Sequence, residues 1–242
     1  MKKLVLSFLA FVLPITLFSG CAALPTLIVP TTVPTLAPTK LPKESINILV
    51  VPFYSSDGTQ IHVGDYSDRL RTNDLNELAG LAQEMAQQRD KLTPEQMFVL
   101  AIRLYNLGEK DDSVYWFYEA QFRAKLLLKT VDSAQVSRGD PTYELLTDYN
   151  SFTEAAGKFI NGYAGCDVDN WVKIAKAVQD DNPKPPELDK LFPHAVLVDR
   201  SQWQQINDDV AAGLGVLIDQ IMKSRDAIQQ KRAADNSDAR YC

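Results

Sequence analysis

Between Leu24 and Lys43 a proline recurs every four or five positions (Pro25, Pro30, Pro34, Pro38 and Pro42), with five threonines among them. Each proline ring removes an amide donor and clashes with the preceding turn, so this stretch can be neither helix nor central strand. What remains is extended polyproline II, which at ~3.1 Å per residue reaches roughly 60 Å. The chain is thereby divided: a leader of residues 1–20, a tether over 21–43, a body over 44–232 and a polar tail over 233–242.

Beyond residue 72 the apolar spacing is helical. Asp74 is placed to cap a helix through Arg89 that carries Leu75, Leu78, Leu81 and Met85. Thr93-Pro94-Glu95-Gln96 combines a cap residue, proline at the first helical position and glutamine three residues after the cap, and Gly108 ends the helix. Asp111 or Asp112 then opens a helix to about Leu128, and Asp140-Pro141 opens another through Asn161. Asp167 starts a shorter helix, stopped at Asn182-Pro183. After a short strand at Ala195–Val198, Ser201 caps the longest helix, which carries apolar residues from Trp203 to Ile228. Ahead of these, Asn47–Tyr54 and Gln60–Val63 flank Asp57-Gly58 and predict a β-hairpin, with Pro52 confining the first run to an edge. The expected fold is mostly α: a non-repeating bundle of about five helices with a small N-terminal β-hairpin. The tail Ala233–Cys242 is expected to fray.

The first twenty residues are an address. Lys2 and Lys3 precede the uncharged stretch Leu4–Phe18, which has the layout of a secretory h-region and is shorter than the ~20 residues that span a bilayer. Leu17-Phe18-Ser19-Gly20-Cys21 then resembles the lipobox of bacterial lipoproteins, with Phe18 standing where that family usually has Leu. The resemblance implies cleavage before Cys21, a diacylglycerol on its thiol and an acylated (palmitate-bearing) N-terminus. Several chains anchor stably where one is marginal. Ala22, in place of the Asp that favours inner-membrane retention, implies the outer membrane facing the periplasm, or the cell surface of a Gram-positive cell. An ordinary cleaved signal peptide and an uncleaved anchor are the competing readings.

Met97 to Leu128 resembles one tetratricopeptide or Sel1-type hairpin: Leu100, Ala101 and Leu104 on the first helix, Gly108 near the turn, and Ser113, Phe117 and Ala120 on the second. No second copy lies 34 residues away in either direction, so a lone helix pair in a non-repeating domain is expected. The whole chain resembles uncharacterised bacterial lipoproteins, which implies no activity.

With Cys21 lipidated, Cys166 and Cys242 remain, and an oxidising compartment would pair them. Cys166 follows Tyr163-Ala164-Gly165 in a turn between helices, and the bond would pin the tail.

Losing Lys2 and Lys3 takes the formal charge from −6 to −8, an acidic balance that argues against nucleic acid as a partner. His62 has Asp65 nearby, and His194 has Asp199 and Ser201, but no G-x-S-x-G segment accompanies them. Asp167 and Asp169 resemble the start of a calcium loop without its glycine or distal Glu, so capping explains Asp167 better. No metal site or cofactor motif is found, and the reading is not an enzyme. Tyr115, Trp116 and Tyr118, with Phe117 and Phe122, put aromatics on every side of one helix. They are either core or a partner-binding face. The expected function is a lipid-anchored envelope protein whose helical body binds another protein, with a toxin-neutralising immunity protein as the specific version of that reading. An assembly or structural role is the alternative, and a peptidoglycan or lipid hydrolase a third class.

Overall fold

The computed structural model describes residues 63–136 and 141–242. The lipobox, the tether, His62 and all of the expected β-hairpin except Val63 lie outside the described residues. What is described is mostly helical, and the only β pairing among these residues is a single antiparallel bridge, Val131 to Leu197.

Asp74 caps α1 (Leu75–Gln87), its carboxylate accepting from the amides of Asn76 and Glu77. In α2 (Pro94–Leu107) the Gln96 side chain accepts from the Thr93 amide, which restrains the first turn. Gly108 closes α2 at φ +103°, a left-handed conformation that costs little without a Cβ. The turn is so tight that α3 (Lys110–Thr130) starts two residues later, two or three residues earlier than a cap at Asp111 or Asp112 would put it. Both aspartates sit in the first turn of α3 instead, where the helix dipole favours negative charge.

α2 and α3 form the most extensively packed pair, and Leu100, Ala101, Leu104, Ser113, Phe117 and Ala120 are all buried between them and their neighbours. α4 (Pro141–Ala164) lies against α3. Phe98 stacks on Phe152 of α4 at 5.3 Å and meets Phe117 of α3 edge-on at 5.8 Å. Asp167 caps α5 (Val168–Asp180) through the amides of Asp169 and Asn170. A short α6 (Leu188–Leu191) follows, and then the chain passes the end of α3. There the Asp132 amide donates to Val196 and the Val198 amide to Thr130, so the strand expected at Ala195–Val198 is reduced to one bridge.

The cap ahead of α7 (Trp203–Lys223) is Asp199 rather than Ser201: the Asp199 carboxylate accepts from both the amide and the hydroxyl of Ser201. The long helix expected to run to Ile228 breaks at Ser224 into α7 and α8 (Arg225–Ala234). That break lets Ile228 pack on a small cluster made by Val168, Val172 and Ala175 of α5 with Ile218 and Ile221 of α7. The residues expected to fray form α9 (Ser237–Tyr241), docked on α4. The count among the described residues is therefore nine α-helices, seven of ten residues or more, and not five. The difference comes from the split at Ser224 and from short helices that apolar periodicity cannot reveal.

Candidate functional site

α3 touches α2, α4, α5 and α7, so it is enclosed on nearly all sides. This decides the aromatic residues. Trp116 and Tyr118 are each 4% exposed, and neither belongs to a partner-binding face. Tyr118 donates to Asn161 of α4 and accepts from the indole of Trp171 on α5, and its burial holds the hydroxyl well above its usual range. Tyr115 is half-buried and engaged in a polar junction: it accepts from Arg89 at 2.9 Å and donates to Asp181 at 2.6 Å. Burial, then the bond to Asp181, pushes its hydroxyl up as well.

Behind Tyr115 lies a buried carboxylate, Glu119. It accepts from Arg123 at 3.0 Å and from Asn182 at 2.6 Å, with Arg89 3.7 Å away. Arg123 also pairs with Asp90, and Asn207 of α7 donates to the Asn182 carbonyl. Residues from the α1–α2 turn, α3, the end of α5 and α7 thus converge on one charged knot. Every charge in it has an opposite partner, which suits a fastening of four chain segments better than a reaction centre. Periodicity missed this knot because Glu119 and Arg123 read as ordinary surface charges. Their i,i+4 spacing between aromatics was the available signal.

His194 is exposed and serves no triad, since Asp199 and Ser201 are occupied as a cap. Asp65 is exposed. Among the described residues no group of three or more His, Cys, Asp or Glu side chains is arranged to hold a metal ion. No helix among them is long and apolar enough to cross a membrane.

Two surface features remain. The outer side of α7 exposes Asp208, Asp209, Ala212, Gly213, Asp219 and Lys223 around Val216, which is 56% exposed, with Met222 at 42% on its flank. At the other end, Cys166 and Cys242 are joined by a disulfide with Cα atoms 5.9 Å apart. The Arg232 guanidinium lies 3.1 Å from the Cys166 sulfur and 3.0 Å from that of Cys242. Beside it, a pocket of about 160 Å³ is lined by Asp111, Tyr163, Cys166, Asp167, Asn170 and Trp171. Partial burial and a bond to Asp111 push the Tyr163 hydroxyl up to about 12.

No family model matches this chain, and no solved structure matches it. It is similar to an uncharacterized protein of Haemophilus influenzae, 27% identical over 135 residues. The match covers 54% of this chain and 50% of that protein, so the chain spans about half the length of the curated relative it matches.

Proposed function

We propose that this chain is a lipid-anchored protein of the bacterial envelope that acts without catalysis, by binding another protein through the outer side of α7. The reading places it in the outer membrane facing the periplasm, or on the surface of a Gram-positive cell. The address is supported by the ordered elements ahead of Cys21 and by the pairing of the other two cysteines, which suits an oxidising compartment. The binding surface is carried by one observation: α7 exposes Val216 in a strip whose charges are mainly Asp208, Asp209 and Asp219. An apolar anchor rimmed by carboxylates suits a partner that presents a basic, partly apolar cleft. That complementarity favours toxin neutralisation over an assembly role.

A photo-crosslinking residue at position 216 should capture a protein of discrete mass from intact cells, whereas one at exposed Asn76 on α1 should not. Capture at neither position, or equally at both, overturns the α7 surface. The captured protein's identity, a secreted toxin or an envelope component, decides between neutralisation and assembly. For the anchor, Cys21→Ser should release the protein from the membrane fraction and stop palmitate incorporation. A variant that stays in the membrane and still incorporates label ends that part of the reading.

A further inference from the structure

The disulfide has surroundings that a purely structural bond does not need. Both half-cystines are exposed, and Cys166 lines the small pocket beside Tyr163 and Trp171. Arg232 is the opposite: its side chain is only 11% exposed, and it is fixed by bonds to the Gly162 carbonyl at 2.7 Å and to Asp238 at 2.8 Å. One nitrogen of this immobilised guanidinium faces both sulfurs. Disulfide sulfur is a weak acceptor, so the cation gains little from the oxidised state. A thiolate in the same place becomes its ion-pair partner, and stabilising the thiolate stabilises the reduced form.

We infer that Cys166–Cys242 is a thiol–disulfide exchange site for a dithiol reductant, with Arg232 holding the departing Cys166 thiolate, and that its reduction releases α9 from α4. The two sulfurs are not equivalent. Asp238 of α9 lies 3.6 Å from the Cys242 sulfur, so that side meets a carboxylate as well as the guanidinium. Cys166 meets Arg232 and the Gly162 carbonyl, at 3.8 Å, while neighbouring Asp167 is turned to the amides that begin α5. Asp111 and Tyr163, the other titratable groups of the pocket, are bonded to each other. Cys166 is therefore the better leaving group.

In the exchange a reductant thiolate attacks the Cys242 sulfur, the S–S bond breaks, and its electron pair leaves on Cys166. The reductant's second thiolate then displaces Cys242, which takes up a proton. The reductant is oxidised by two electrons to its own disulfide, and this protein keeps one thiol and one thiolate. After that, α9 keeps the non-covalent contacts alone: the bond from Lys110 of α3 to the Tyr241 carbonyl, the Tyr241 ring over Gly162 of α4, and Asp238 on Arg232, which itself bonds the Gly162 carbonyl. A five-residue helix does not persist on its own in water.

The test uses the full chain. Alkylation of each cysteine against pH, resolved by peptide mass in the reduced protein, should show Cys166 titrating at least one unit below the ordinary ~8.5. Arg232→Gln should return it towards that value and shift the equilibrium with glutathione towards the disulfide by about tenfold per unit. Arg232→Lys should restore most of the effect. A dithiol reductant lacking its second cysteine should be trapped on Cys242. Amide exchange in α9 should rise on reduction while α2 and α3 stay protected. Cys166 titrating at 8.5 or above in the unaltered chain overturns the site, and that reading does not depend on any variant folding. Trapping on Cys166, an unmoved glutathione equilibrium in Arg232→Gln or unchanged exchange in α9 each overturns the part it reads. Neither the lipid anchor nor the α7 surface enters this exchange, so its failure leaves both untouched.

Discussion

The α2–α4 interior and the α7–α9 layer are held together in different ways. In the interior Phe98, Phe117, Leu100, Leu104 and Ile160 are all at 1% exposure or less, rings from three helices interlock, and the buried carboxylates are bonded, Glu119 to Arg123 and Glu95 to the Tyr149 hydroxyl. In the outer layer the apolar contact with α5 is a cluster of five buried residues, to which α8 adds the partly buried Ile228. Beyond that, α8 and α9 are fastened at points: a disulfide, the Arg232 fork, the ring of Tyr241 on Gly162 and the bond from Lys110. Area-based attraction is spread over many atoms and survives small errors of placement. Point fastenings depend on single side chains, so the outer layer can open while the interior stays closed.

The strongest way to break this contrast is to attack the interior where it too depends on one group. Glu119→Ala leaves Arg123 with only the exposed Asp90 in place of its buried carboxylate partner, and denaturant unfolding should show a loss of about 3–5 kcal/mol. A loss under 1 kcal/mol would mean that the knot is solvated and the contrast false. Next, Ala120→Leu should overpack the fully buried contact of α3 and cost about 1–3 kcal/mol. Ala79→Leu, on a half-exposed position of α1, should cost much less, and equal melting temperatures would remove the distinction. The smallest global effect is expected from Gly162→Ala. Its new Cβ would stand 2.8 Å from the Tyr241 ring, so α9 must shift. Overall stability should fall by about 1 kcal/mol at most, towards the low end for overpacking, because the tail can swing away. Amide exchange in α9 should nevertheless accelerate strongly, and a global loss as large as that of Ala120→Leu would show that the tail is part of the core.

The same contrast explains what was legible in the sequence. The caps at Asp74 and Asp167, the start at Thr93-Pro94 and the stop at Gly108 are local, and each is readable from a few adjacent residues. Trp116 and Tyr118 could be read either way, because burial depends on how many neighbours surround α3 and not on its own pattern. The break at Ser224 and the helical tail were illegible for a related reason: Ile228 and Arg232 reach partners 50 to 70 residues away, and no local rule encodes such a partner. The Cys166–Cys242 pair was accessible by counting cysteines, whereas the guanidinium between the two sulfurs was not.

The entry of the chain into the body has a mechanical consequence. Val63 and Leu70 are buried plugs, Gln96 holds the Val63 carbonyl, and Arg103 grips the carbonyls of Leu70 and Thr72 and the side chain of Asn73. Gln96 and Arg103 both belong to α2. A pull arriving from the N-terminal side is therefore delivered to the most extensively packed helix pair of the body, spread over four hydrogen bonds, before any tension reaches α1. The opposite end of the chain meets that pair at Lys110, whose bond to the Tyr241 carbonyl ties α9 to the start of α3. A load carried by α2 and α3 therefore reaches the seat of α9 through a residue that helps to hold it.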